Sequence, residues 1–327
     1  MLEDIDFYTD LSLVENPMPY FEAIRKKGAV HRLPNRNVFA VTGYEEAIQV
    51  YSDTGNFSSV NAVTGPIPDV PFVPEGDDIG EQLMRHRPDM PFSSEVVGLD
   101  APDHARMRSL LMPLFTPGKL KSKEEGFRAV ANRLIDEFIE QGLVEFIKGY
   151  ANPLATLIIT ELLGVPEADR KDFRKFFEGG TAGEVGASAE TIAYNPLIEM
   201  GMRIAGYIAE RRQNPTHDVL TEFALAKFPD GSTPTLEEAA RVASFLFGAG
   251  QDTTVKLLGT SFRILAEHKH IQEDLRREPA RIPACIEEVL RFQGGHQDKS
   301  SPLQKNDIDW RRRHTCRCDR HDRQSGS

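Results

Sequence analysis

The stretch from Thr235 to His268 restricts the possible folds more than any other part of the chain. It contains no proline, and its apolar residues recur at helical spacing, so it predicts one long helix. Thr235 followed by Glu238 forms a capping box at its start. There the threonine hydroxyl accepts from a free backbone N–H, and the glutamate reaches back to the cap. In the middle stands Phe245-Leu246-Phe247-Gly248-Ala249-Gly250-Gln251-Asp252-Thr253-Thr254. Each glycine inside a helix costs about 1 kcal/mol relative to alanine, so some other interaction must offset it. Small residues permit tight packing of a second helix. They equally permit a flat ligand to lie close to the backbone. An acid and an alcohol follow at once, and such a pair can relay protons to a bound group, which favours the ligand.

The remainder also reads mainly as helix, giving a mostly α fold with a small β region. Phe127 to Gln141 places Val130, Leu134, Ile135 and Phe138 on one face. Asn152 to Gly164 is a strongly apolar helix with a glycine stop and Pro166 just beyond. Val38 to Thr42 is the best strand signal. Two stretches read as loops: the proline-rich, acidic run from Asn61 to Asp89, and the Gly/Ala/Ser-rich run from Gly179 to Pro196. Long loops in a compact domain serve as lids or are simply disordered, and both readings stay open.

Composition narrows the function classes. Apolar residues make up 40% of the chain, enough for a substantial core, and the formal net charge of -11 argues against a nucleic-acid-binding body. No apolar run is long enough for a membrane span, and the acidic N-terminus lacks the apolar region of a signal peptide. The three cysteines, Cys285, Cys316 and Cys318, are an odd and sparse set that fits a reducing compartment. A cytoplasmic protein is expected.

Two further motifs carry chemistry. In Asp100-Ala101-Pro102-Asp103-His104-Ala105-Arg106-Met107-Arg108, Asp100 suits an N-cap and Pro102 a first turn. His104 and Arg108 then lie four apart on one face. They form either a dianion site or a solvated basic face. In Glu287-Glu288-Val289-Leu290-Arg291-Phe292, Glu288 and Arg291 are helical partners three apart among apolar neighbours. The pair is expected to be buried and structural, and breaking it to cost roughly 3–5 kcal/mol.

Together the three motifs resemble the cytochrome P450 family of haem-thiolate monooxygenases. Ala-Gly-x-Asp-Thr-Thr in a long helix is similar to the family's oxygen-activating motif. Asp-x-Pro-x-His-x-x-x-Arg followed by Phe115-Thr116-Pro117, and then Glu-x-x-Arg, stand in the family's order. The resemblance runs from about Phe7 to Phe292. It implies that Ala249 and Gly250 face the haem, that Thr253 hydrogen-bonds the oxygen ligand, and that Asp252 supplies protons. It implies that His104 and Arg108 hold the haem propionates, and that the Glu288–Arg291 pair braces the haem-binding core. The implied reaction inserts one oxygen atom from O2 into a small apolar molecule. Electrons would come from a ferredoxin and its reductase.

The resemblance stops after Phe292. The family continues with strands, a further arginine and a haem loop of the type Phe-x-x-Gly-x-x-x-Cys-x-Gly, which do not follow here. That cysteine is the iron's axial thiolate and favours O–O cleavage. Residues 1–292 are therefore expected to form one helical domain lacking its haem-loop part. Residues 293–327 form an aberrant tail without helical or strand period, which composition reads as disordered. A one-base frameshift accounts for such a tail. The Trp310 codon, shifted by one base, must encode glycine, and His314 to Cys318 permits Ile-Pro-Ala-Gly in the shifted frame. Cys316 and Cys318 lack the glycines and following helix of a haem loop, so no metal ligand is assigned; a His/Cys metal site there is an alternative. As written, the chain is expected to be inactive. The alternatives are a haem-free helical protein that binds small molecules, a basic tail that binds an acidic partner, and a non-functional gene fragment.

Overall fold

The computed structural model describes residues 2–10, 12–34, 38–63, 70–175 and 196–293. The Gly/Ala/Ser-rich stretch before Pro196 lies almost wholly outside them. So does the tail 294–327, with Cys316, Cys318 and the frameshift reading.

The described residues are mostly helical, with one two-stranded sheet. Helix α1 (Met18–Arg25) packs Tyr20 and Ile24 into a small N-terminal core with Leu13 and Leu33. Strands β1 (Val30–Arg32) and β2 (Phe39–Val41) pair antiparallel, with His31 opposite Ala40. The expected strand at Val38 to Thr42 is thus present. Its partner, Val-His-Arg, is too short to show a period in the sequence.

Next come α2 (Tyr44–Ser52) and α3 (Gly80–His86). The second corrects the expectation of an unbroken loop from Asn61 to Asp89. The Asp78 carboxylate accepts from the Gly80 N–H at 2.8 Å, and Gln82 exchanges two hydrogen bonds with the Glu75 backbone. These local bonds satisfy the groups that a short helix leaves open.

Helix α4 (Asp103–Arg108) precedes α5 (Pro117–Asp136). The latter starts ten residues before the expected Phe127, with proline in its first turn and extended Thr116 ahead of it. Its first half is charged, so no apolar stripe marks it. Val130 and Leu134 are buried as expected, with Ile135 and Phe138 packed beside them. Helix α6 (Asn152–Leu163) ends at Gly164, which has φ +87°. A Cβ there would collide with the Asp218 side chain, so glycine is required both for its left-handed backbone and for the close approach.

The centre of the molecule is α9 (Leu236–Glu267), 32 residues and roughly 48 Å long. Its capping box is formed: Thr235 Oγ1 accepts from the Glu238 N–H at 3.1 Å, and Glu238 Oε2 from the Thr235 N–H at 2.8 Å. Helix α7 (Pro196–Gln213) lies along it and buries Met200, Ile204 and Ile208 completely. That four-residue spacing makes one apolar stripe, and each such side chain contributes about 1.5–3 kcal/mol when buried. Helix α8 (Val219–Leu225) closes the same core with Leu220 and Phe223. Helices α10 (Lys269–Arg277) and α11 (Ile282–Gln293) pack Ile271, Cys285 and Val289 against Ile264 of α9. Among the described residues, no helix is long and apolar enough to cross a membrane.

Candidate functional site

The middle of α9 has two unlike sides. Gly250 and Gln251 face α6. A Cβ on Gly250 would sit 3.3 Å from Ile159 Cδ1, and buried Gln251 donates to Asn152 Oδ1 at 3.1 Å. Gly250 is therefore a close-packing residue on the side that meets α6. The helix–helix alternative accounts for it. Ala249 and Thr253, one turn apart, are exposed on another side.

Both threonines bond back to the helix. Thr253 Oγ1 donates to Ala249 O at 2.7 Å, and Thr254 Oγ1 donates to Gly250 O at 2.6 Å. With its proton committed inward, the Thr253 hydroxyl presents lone pairs outward, where it can accept. Asp252 is half-buried and forms an ion pair with Lys256 at 3.1 Å, one turn along. A carboxylate held by an ammonium is kept near the helix surface at a defined place.

Helix α4 docks onto the start of α9 through one side chain. Arg106 NH1 donates to Glu238 Oε1 at 2.7 Å, and its guanidinium lies 3.5 Å over the Phe228 ring. Met107 and Leu110 are buried in the cluster that holds Leu246 and Phe247. Both motifs therefore share one core. His104 is half-buried and Arg108 exposed, and neither side chain has a hydrogen bond or ion pair among the described residues. The fold uses Arg106 and leaves the other two donors open.

Asp100 does not cap α4 with its side chain, contrary to expectation. Its carboxylate accepts from Ser58 Oγ at 2.5 Å, the Ser59 N–H at 2.7 Å and Arg87 NH2 at 3.2 Å. The charge-assisted partner outcompetes a capping bond. Arg87 NH1 also donates to the Ser93 and Gly98 carbonyls, at 2.6 and 2.9 Å. This clamp shapes the turn in which Phe92 has φ +59°.

That turn presents a residue the sequence did not mark. The Glu95 Oε2 atom is covered and has no hydrogen-bond partner. Burial pushes the carboxyl up to about 7, and Arg241 opposes the shift only partly. Arg241 already donates to Glu237 at 2.5 Å. A single glutamate between two serines and two valines shows no period that would mark it as buried.

The pair Glu288–Arg291 forms, with Nε to Oε2 at 2.8 Å and NH2 to Oε1 at 2.5 Å. It is not buried, because the Arg291 side chain is 64% exposed. Cys285 and Val289 take the face of α11 that packs on α9, and the helical turn carries Arg291 away from it. Burial raises the Cys285 thiol above its usual range. Among the described residues, no cluster of His, Cys, Asp and Glu side chains forms a metal site.

No protein-family model matches the chain. Individual proteins do. The structure of substrate-free cytochrome P450 CYP150A6 from Mycobacterium marinum superposes with a TM-score of 0.80 at 46% identity, covering 89% of this chain and 68% of that one. The polyketide biosynthesis cytochrome P450 PksS of Bacillus subtilis is 29% identical over 85% of this chain and 66% of its own length. Cytochrome P450(MEG) of Priestia megaterium is 29% identical over 78% of this chain and 59% of its own. The chain belongs to the cytochrome P450 family, whose members bind haem. It spans about two-thirds or less of the curated relatives it matches. The residues present fit part of that cofactor. His104 and Arg108 suit its two carboxylates, and the open side of Ala249 and Thr253 suits one face of a flat ring. Its iron finds no match, since the one described cysteine, Cys285, is packed inside α11's core contact.

Proposed function

We propose that this chain carries the oxygen-side and propionate-side portion of a haem-dependent monooxygenase acting on a small apolar molecule. The observation that carries this reading is the division of labour on α4. Arg106 ties the helix to α9, while the His104 and Arg108 side chains stay without partners among the described residues, on a helix whose Met107 shares a core with Leu246 and Phe247, just ahead of Ala249. Bound haem supplies the oxygen-activating chemistry. The chain's own residues would do the rest. His104 and Arg108 would hold the propionates, Ala249 would leave room for the ring, and the Thr253 oxygen would accept a hydrogen bond. Asp252 would hold a proton donor at the helix surface, positioned by Lys256. Electrons would come from a ferredoxin and its reductase in the cytoplasm.

The same reading makes this chain inactive by itself. The described cysteine is a core residue, and the sequence 294–327 lacks the glycine-framed cysteine of a haem loop. A haem-free helical binding protein is the competing reading, favoured by that same placement of Cys285. Haem titration of the purified chain decides between them. Uptake that weakens in a His104→Ala/Arg108→Ala variant supports the first. The reduced, carbon-monoxide-bound sample should show a histidine-type or unligated spectrum, without the long-wavelength band of a thiolate complex. No uptake at all would favour the haem-free protein.

A further inference from the structure

Glu95 sits in a turn that cannot yield. A Cβ on Gly98 would stand 2.8 Å from the Phe92 carbonyl oxygen, so the chain closes tightly on itself there. Arg87 locks the same turn through the Ser93 and Gly98 carbonyls. Val96, the next residue, is buried in the cluster that also holds Val242, the residue after Arg241 on α9. The Glu95 carboxyl is thus held beside α9, with its Oε2 atom covered and unpartnered. Arg241 is the charged group that acts on it.

Arg241 meanwhile bonds to the outer of two carboxylates. It donates to Glu237, whose side chain is 80% exposed, whereas its own is 32% exposed. An exposed pair four apart on a helix is a weak one, because water screens both charges. An ionised carboxylate left covered and unpaired is far more costly. One guanidinium on a flexible stem therefore serves two acids of unequal need. The neighbouring charges are engaged elsewhere. Around the turn, Arg87 is taken by Asp100, and Asp89 by His86. Helix α4 packs on Val96–Gly98, but its Arg106 holds Glu238, and its Asp103, His104 and Arg108 do not act on Glu95.

We propose that Arg241 is a two-position arm, bound to Glu237 while Glu95 is neutral and to Glu95 once Glu95 has lost its proton. The turn is rigid, so the arm moves and the turn does not. Burial keeps the proton on Glu95 up to about pH 7, with Arg241 acting against it. The first position therefore belongs to acid solution and the second to alkaline. Losing the proton lowers stability overall, and the new pair limits that loss. In the second position a charge-assisted bond pins residues 92–98 to α9, between the Arg106 tie at Glu238 and the segment from Gly248 to Thr253. The device is independent of any role of His104, Arg108 or Thr253.

The test is urea unfolding of the full 327-residue chain at about pH 5.5 and about pH 8.5, on either side of the Glu95 value. Double-mutant cycles pair Arg241→Gln with Glu95→Gln and with Glu237→Gln. The Glu95–Arg241 coupling should be absent at the lower pH and reach roughly tenfold in the unfolding equilibrium constant at the higher. The Glu237–Arg241 coupling should run the other way, roughly twofold at the lower pH and lost at the higher. It should return at the higher pH in the Glu95→Gln background, where the arm has no second partner. Hydrogen exchange reads the tether directly: residues 92–98 of the parent should be better protected than those of Glu95→Gln at the higher pH alone. If Arg241→Gln unfolds at the higher pH, its rescue by Glu95→Gln supports the same pair. A Glu95–Arg241 coupling that is equal at both pH values, or absent from both, would overturn the proposal. So would a Glu237–Arg241 coupling that persists unchanged at the higher pH.

Discussion

Arg106 reaches Glu238 across 132 positions of sequence and closes a 2.7 Å ion pair beneath the capping box of the longest helix. The same guanidinium stacks on Phe228. Replacing Arg106 with alanine removes both contacts. Because the pair is partly exposed, the loss should be about 1–2 kcal/mol. Urea unfolding should show Arg106→Lys recovering only part of it, since lysine has no planar fork. Equal stability of the alanine variant and the parent would mean that α4 is held by Met107 and Leu110 alone.

Gly250 should tolerate alanine and resist valine. Alanine gains about 1 kcal/mol of helix propensity, and the flexible end of Ile159 can shift by the few tenths of an ångström required. Valine adds two methyl groups against α6 and should destabilise by about 1–3 kcal/mol. Shortening the neighbour with Ile159→Val should recover part of that loss in a double-mutant cycle. Additive effects of the two changes would show that they do not touch.

Glu95 gives a pH signature. Its folded value, about 7, lies above its ordinary 4.5, so the folded state binds the proton more tightly than the unfolded state. The stability this contributes is complete below the unfolded value and is lost as pH rises through about 7. Glu95→Gln should therefore match the parent near pH 4 and exceed it above pH 7. The upper bound is about 3 kcal/mol from the size of the shift. A difference between the two proteins that does not change across that range would show Glu95 to be ionised in the fold.

His104→Ala and Arg108→Ala should leave stability within about 0.5 kcal/mol, because neither side chain has a protein partner among the described residues. Each should weaken haem uptake roughly tenfold, the value of one charge-assisted contact of about 1.4 kcal/mol. Paired thermal melts and haem titrations separate the two effects. A large loss of stability would make these residues structural.

Glu288→Ala should cost less than about 1 kcal/mol in this chain, as for other exposed pairs. Chemical denaturation of the variant beside the parent checks it, and a loss of several kcal/mol would show the pair to be buried after all.

Much of this was legible in the sequence. The capping box, the glycine stop at Gly164 and the stripe of Val130 and Leu134 follow from local hydrogen bonding and helical period, which act within a few residues. The two donors of α4 were legible for the same reason, since a spacing of four places them on one face. Other features depend on the far side of a contact. Gly250 reads as ligand space because of the acid and alcohol beside it, and its packing against Ile159 shows only once α6 is in place. Asp100 has the chemistry of a cap, and only the arrival of Arg87 and Ser58 redirects it. The exposure of Arg291 follows from which face of α11 meets α9, which short apolar runs on both flanks do not reveal. Glu95 carries no periodic signal, and the arginine that faces it, Arg241, lies far along the chain.

The tie at Glu238 also gives α9 a phase. Ala249 stands roughly 16 Å along the axis from the residue that Arg106 grips. One residue inserted between them would rotate everything beyond by about 100°, carrying Ala249 and Thr253 away from their open side. Four inserted residues would nearly restore the angle but slide the segment about 6 Å along its neighbours. The interval between Glu238 and Ala249 is therefore fixed in length. Exposed positions there can change, the buried Ala239, Val242, Ala243 and Phe247 only within their volume, and insertions and deletions not at all.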